Sequence, residues 1–178
     1  MEIFKTKRLL IRELKKTDIL SLYDYGKEEL TVQYQPWDAP KNIKAVRAFY
    51  EGTQAQRLKA ERRMFAWGVV LQSTNKLIGD CGYHYLEGSS EAVEIGCNIH
   101  SLHWRKGYAT ELTNKLISYL WSNNKSIQIF AECDSRNIAS RKVLEKTGFN
   151  LETIRKADRL QKGIMIDVCK YKYVVTKA

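Results

Sequence analysis

The sequence predicts one α/β domain, a mixed and mostly antiparallel sheet flanked by helices. Three observations carry this. Residues 64–99 contain three strand-like segments joined by short turns, the first and third with apolar alternation of period two, which is an antiparallel meander. At Gly107 the period changes, and Leu112, Leu116, Ile117 and Leu120 recur at helical spacing. Beyond Asn123 a strand, a helix and two closing strands follow, as in an α/β domain with a mixed sheet.

The elements follow in order. Thr6 to Glu13 reads as a first strand. Thr17 caps a short helix ending near Gly26. Pro36 and Pro40 bracket a loop around Trp37. Asn42 caps a second helix, Ile43 to about Arg62, with Val46, Phe49 and Tyr50 turned inward. Phe65, Trp67, Val69 and Leu71 alternate in the next strand. After Ser73-Thr74-Asn75 the chain returns as Lys76 to Tyr85. After Glu87-Gly88-Ser89-Ser90, Val93, Ile95, Cys97 and Ile99 alternate in the third strand of the meander. The helix after Gly107 runs to about Asn123. Ser126 to Cys133 is a strand and Asn137 to Lys146 a helix stopped by Gly148. Phe149 to Lys156 and Ile164 to Val175 close the sheet around Lys162-Gly163. The order is β-α-α-β-β-β-α-β-α-β-β. No linker composition interrupts it, so residues 1–178 are expected to form a single domain.

Composition narrows the function. The chain has 178 residues, 44% hydrophobic and 28% charged, the profile of an ordinary globular protein. No run approaches a membrane span, and residues 1–12 carry no apolar signal core, so a cytoplasmic protein with no membrane partner is expected. Cys81, Cys97, Cys133 and Cys169 lack Cys-x-x-Cys spacing and read as buried reduced thiols. His100 and His103 lack the glutamate of a zinc-protease motif, so no metal site is expected. The net charge is +10, yet Lys and Arg are scattered from Lys5 to Lys177. That pattern suits a solvated surface or a field that attracts a polyphosphate. It does not require direct nucleic-acid binding, and an aromatic RNA-stacking motif is missing.

The chemistry-bearing stretch is His103-Trp104-Arg105-Lys106-Gly107-Tyr108-Ala109-Thr110-Glu111. It precedes an amphipathic helix, whose first N–H groups are unpaired and whose N-terminus is partly positive. Such an end holds a phosphate well. Gly107 permits close backbone approach, Arg105 and Lys106 add charge, and Thr110 adds a hydroxyl. Taken alone, the stretch is equally a plain loop entering a helix. A second segment opens at Asn137-Ile138-Ala139-Ser140 and closes at Glu145-Lys146-Thr147-Gly148-Phe149. Asn137 as cap and Gly148 as stop account for those residues one by one, but not for the order of the two segments.

These segments together resemble the GNAT superfamily of acetyl-CoA-dependent N-acetyltransferases, and within it the ribosomal-protein N-terminal acetyltransferases of the RimJ/RimL type. Thr6-Lys7-Arg8-Leu9-Leu10-Ile11-Arg12 is similar to that branch's first strand, and Leu77-Ile78-Gly79 and Glu94-Ile95-Gly96 to its middle strands. The resemblance covers nearly the whole chain and implies a GNAT-like fold. It also implies acetyl-CoA as co-substrate, held by Ile99, Arg105, Lys106, Gly107, Tyr108, Ala109, Thr110, Asn137 and Ser140. The acceptor it implies is an amine such as a ribosomal-protein N-terminus, and a homodimer accords with it. Two positions depart from the superfamily pattern. Trp104 stands where the pyrophosphate motif commonly begins with Arg or Gln. Leu144 stands where many members carry a tyrosine as general acid. Ser140 is the candidate to supply the missing hydroxyl at the leaving sulfur, as in the RimJ/RimL-type branch. Glu94 is the candidate base, set against the plainer possibility of a solvent-facing carboxylate; Glu13 and Glu132 stand behind it. The thioester oxygen is assigned to backbone N–H groups near Cys97 to Ile99. Trp37 and Tyr34 are expected near the acceptor. A polyamine acceptor would need a carboxylate cluster, for which Glu87, Glu91 and Glu94 are the candidates; an aminoglycoside or amino acid is a further small-amine alternative. A non-catalytic RNA-binding module is the alternative from another class.

Overall fold

A computed structural model describes residues 1–174; Val175, the expected end of the last strand, lies outside the described residues. One eight-stranded sheet has the order β1-β2-β3-β4-β5-β6-β8-β7. The strands are β1 (Glu2–Lys5), β2 (Leu9–Glu13), β3 (Met64–Leu71), β4 (Lys76–Tyr85), β5 (Ala92–Ile99), β6 (Gln128–Asp134), β7 (Phe149–Gln161) and β8 (Ile164–Tyr173). The helices are α1 (Ile19–Gly26), α2 (Glu29–Val32), α3 (Ile43–Arg57), α4 (Tyr108–Asn123) and α5 (Ile138–Lys146). Every neighbouring pair is antiparallel except β5 and β6.

The local rules explain most of this. The second half of β3 is uniformly buried, as expected of a strand covered on both faces. Leu112, Leu116, Ile117 and Leu120 form the buried stripe of α4 and pack with Trp67, Val93, Ile129 and Tyr171 in the main core. A second core, of Leu22, Tyr25, Val46, Val70 and Leu77, lies under α1 and α3. Asn42 caps α3, its Oδ1 accepting from the N–H groups of Lys44 and Ala45. Gly148 ends α5 with φ +91°, a conformation that side chains avoid.

The structure corrects several expectations. The single opening strand is a hairpin, β1 and β2, because the chain turns at Thr6–Arg8 where Thr6 N–H bonds the Leu9 carbonyl. An additional short helix, α2, follows α1. Thr17 is not a cap; it lies inside a 3-10 turn, Lys16–Asp18, in which the Asp18 carboxylate accepts from the Lys15 N–H. Helix α3 stops at Arg57 rather than Arg62. Phe49 is 47% exposed instead of inward, because its face of α3 lines a cavity and not the core. Strand β7 runs on to Gln161 through a bulge at residues 156–158, where Ala157 has φ +44° and its N–H bonds Asp167. Cys81 and Cys169 are buried, whereas Cys97 and Cys133 are only partly so, and all four are free. They stand opposite one another across strands, Cys81 with Cys97 and Cys133 with Cys169.

Candidate active site

Strands β5 and β6 pair only from Ala92 to Glu94 against Gln128 to Phe130, and then diverge. His100 N–H bonds the Ile78 carbonyl at 2.8 Å. In an antiparallel ladder this assigns the even residues of β5 to β4, so Cys97 and Ile99 turn their N–H groups toward the divergence. The Ile99 carbonyl on that side is engaged by Trp104 Nε1 at 2.5 Å. Trp104 thus anchors the end of β5, which gives this departure from the superfamily pattern a structural task.

The divergence opens a cleft of about 240 Å³, lined among others by Glu94, Cys97, Thr113, Cys133, Asn137 and Ser140. On the opposite face of the sheet lies a cavity of about 560 Å³ between β4, β5, α1 and α3. Glu94, Ile95, Gly96, Asn98 and Trp37 line both, so the two spaces meet at Glu94. Tyr34 lines the cleft, and the loop expected to flank the acceptor lies at this junction.

Burial, and then the nearby Glu132 carboxylate, push the Glu94 pKa up to about 7 against the opposing pull of Arg159, Arg155 and Lys170. The two carboxylates held in reserve are differently placed. Glu132 is clamped by Arg155 at 2.8 Å and Arg159 at 3.1 Å. Glu13 is buried against Arg62 at 2.8 Å and lines neither space. Among the described residues both are therefore engaged by guanidinium groups, unlike Glu94. Glu87 and Glu91 are exposed and line neither space, so they do not join Glu94 in the carboxylate cluster expected for a polyamine.

Asn137 and Ser140 share the cleft. Asn137 Oδ1 caps α5 by accepting from the Ser140 N–H at 3.0 Å, leaving the Asn137 amide NH2 and the Ser140 hydroxyl for other partners. Burial, with Cys169 close by, pushes the Cys133 thiol up to about 12, only partly offset by a hydrogen bond with Ser140. A neutral thiol of that kind is a weak nucleophile. Arg141 is tied to the Tyr171 hydroxyl at 3.2 Å and the Ser135 carbonyl at 3.4 Å.

Arg105, Lys106, Gly107, Tyr108, Ala109 and Thr110 lie outside the lining of the cleft, at the start of α4, whose Leu112, Thr113 and Leu116 continue into it. Gly107 is the N-cap with φ +79° and accepts the first helical hydrogen bond from Glu111 N–H. The N–H groups of Tyr108, Ala109 and Thr110 precede any intrahelical partner, so the loop fits a pyrophosphate. A set of supporting residues was not recognised from sequence. Arg8 donates from Nη1 to the Lys106 carbonyl at 2.9 Å and from Nε to Glu111 at 2.6 Å, and stacks 4.4 Å from the Tyr108 ring centroid. Thr6 Oγ1 and the Arg8 N–H also donate to Glu111. No local pattern marks this contact, which spans about 100 residues of chain.

Burial alone would raise the Glu111 pKa, but the bonds from Thr6 and Arg8 outweigh it and leave the group below its ordinary value. Its stabilisation is therefore present above the ordinary carboxylate range and lost as pH falls through the folded value. Glu111→Gln should cost about 1 kcal/mol at pH 7 after solvent screening. The loss should shrink as pH falls below the ordinary carboxylate range, which denaturant melts at neutral and at acidic pH would check.

Two strands that part beside a helix N-terminus, with a half-buried carboxylate at the parting, frame this candidate site. The chain belongs to the acetyltransferase (GNAT) domain family, whose model matches residues 8–150. It is 29% identical over 172 residues to an uncharacterised N-acetyltransferase, YoaA, of Bacillus subtilis, covering 97% of this chain and 96% of that one. Solved structures share the fold. One is the Salmonella typhimurium acetyltransferase that modifies the N-terminal serine of ribosomal protein L7/L12 (TM-score 0.84, 17% identity, 99% and 100% coverage). Another is Vibrio cholerae spermidine N-acetyltransferase with CoA and spermine (TM-score 0.78, 17% identity, 92% and 94% coverage). The protein is an N-acetyltransferase of this family. Among the described residues no group of His, Cys, Asp and Glu is arranged to hold a metal, and no helix is long and apolar enough to cross a membrane.

Proposed function

We propose that the protein moves the acetyl group of acetyl-CoA directly to a primary amine, and that this amine is a peptide N-terminal α-amine. The observation that carries the proposal is Glu94, a carboxylate with pKa raised to about 7 where the cleft meets the second cavity. The bound acetyl-CoA supplies the activated acyl group. The backbone N–H groups of the α4 N-terminus, from Gly107 to Thr110, hold its pyrophosphate, with Arg105 and Lys106 adding charge, and Asn137 offers its amide from α5. Glu94 takes a proton from the ammonium, directly or through water. The Cys97 N–H donates to the thioester oxygen as charge gathers there, close to Ile99. The N–C bond forms as the C–S bond breaks, and the Ser140 hydroxyl donates to the departing thiolate. The high Cys133 pKa supports direct transfer over an acetyl-cysteine route.

The N-terminal acceptor follows the family resemblance, and the separation of Glu87 and Glu91 from Glu94 speaks against a polyamine. A cytoplasmic location and a homodimer belong to the same proposal, the homodimer resting on that resemblance. Ser140 offers a clean test. Its backbone N–H is satisfied by Asn137, so the hydroxyl is free of the capping task. A hydrogen bond to a charged group is worth roughly 1.5–3 kcal/mol. Ser140→Ala should therefore slow kcat by about 10- to 150-fold with an unchanged Tm. Full turnover with a lowered Tm would assign Ser140 to the helix instead.

A further inference from the structure

The floor of the 560 Å³ cavity is one face of β4 and β5, arranged in three rungs: His84 opposite Glu94, Gly82 opposite Gly96, and Asp80 opposite Asn98. Rungs on one face are two residues apart, roughly 7 Å. The middle rung carries no side chains, and a Cβ built on Gly96 meets nothing within 4 Å. A flat stretch of backbone thus begins beside Glu94 and ends at a polar rung.

That far rung is closed. Asp80 Oδ1 accepts from Asn98 Nδ2 at 2.8 Å, and Oδ2 accepts from the Tyr25 hydroxyl. With both oxygens engaged, Asp80 is a poor receptor for a second ammonium. The other carboxylate in the lining, Asp38, is exposed, where an ion pair gains little. The walls are of another character. Trp37, Phe49 and Met64 are 46%, 47% and 53% exposed, and they face this one space. Large apolar groups left uncovered around a concavity mark a site for an apolar ligand.

We propose that the accepted primary amine is carried on a bulky apolar or aromatic body, which lies over Gly96 against Phe49 and Met64 with its nitrogen at Glu94. Such an amine is either a free arylalkylamine or an N-terminal residue such as phenylalanine. The inference rests on the acetyltransferase reading above and adds the acceptor's chemical class.

The test is thiol release from acetyl-CoA with four acceptors: phenethylamine, a peptide beginning with Phe, the same peptide beginning with Ser, and spermidine. At least one of the first two should exceed both others in kcat/KM by roughly 10- to 100-fold, the worth of burying one large side chain. The faster of the two identifies the source. Phe49→Glu alters an exposed helix position and should fold; it should lower kcat/KM for the apolar acceptor at least about tenfold, with the acetyl-CoA Kd from calorimetry unchanged. A Ser-peptide or spermidine turned over as well as the apolar acceptors would overturn the inference and leave acetyl transfer standing. An unaffected Phe49→Glu protein, or acetyl-CoA binding with no transfer to any of the four, would also overturn the inference. Failure to bind acetyl-CoA would overturn the acetyltransferase reading and the acceptor class together.

Discussion

Glu94→Gln is expected to lower kcat by roughly 10²–10⁴-fold while leaving acetyl-CoA affinity unchanged. The amide has the carboxylate's shape but cannot take the ammonium proton. Because the Glu94 pKa is raised to about 7, kcat of the wild type should fall as pH drops below about 7, and this acidic limb should flatten in the mutant. Stability should move the other way. A carboxyl whose folded pKa lies above its unfolded value binds more protons when folded, so its contribution declines as pH rises from the ordinary range toward 7. Removing that charge should give Glu94→Gln a higher Tm than wild type at pH 8, and a smaller gain at pH 5. Near-normal turnover at neutral pH, or a mutant destabilised at pH 8, would return Glu94 to the role of a surface carboxylate.

Gly107→Val is expected to weaken acetyl-CoA binding by at least about 100-fold, because it acts on the backbone that meets the pyrophosphate. Gly107 sits at φ +79°, and an added Cβ would lie 3.4 Å from Arg8 Nη2. A β-branched residue is strained at that φ by about 1–3 kcal/mol, and its methyl groups would occupy the approach to the N–H groups of Tyr108 and Ala109. Gly107→Ala shares the left-handed strain without the branching, so it should bind with an intermediate Kd. Isothermal titration of both variants, beside their melting curves, separates loss of the site from loss of the fold. Undiminished affinity in a folded Gly107→Val protein would remove the pyrophosphate from this loop.

The meander was legible because its information is local. Lys76 to Tyr85 is bounded by turns on both sides, and β4 has those bounds. The helices α4 and α5 were equally legible from the Leu112–Leu120 stripe, Asn137 and Gly148. What stayed hidden depends on partners distant in sequence. The turn that splits β1 from β2 is organised by Glu111, and the bulge in β7 by Asp167 across the hairpin. Phe49 has the helical spacing of a core residue; only the third dimension shows that its side of α3 faces a cavity. Glu94 lies among alternating apolar neighbours and could be placed on the opposite strand face. Its raised pKa comes from burial beneath elements that the sequence does not align with it. Arg8 has no signal at all in its own neighbourhood, yet it braces the loop at Lys106.

Direct transfer is tested best by following sulfur and acetyl in a single reaction. Protein, acetyl-CoA and a primary amine are mixed, free thiol is titrated, and both the amine and the intact protein are weighed by mass spectrometry. The expected result is one thiol released per acetylated amine, with the protein's own mass unchanged throughout. Thiol release with the acetyl group retained on the protein at Cys133, or saturating acetyl-CoA and acceptor amine with no thiol released, would contradict it.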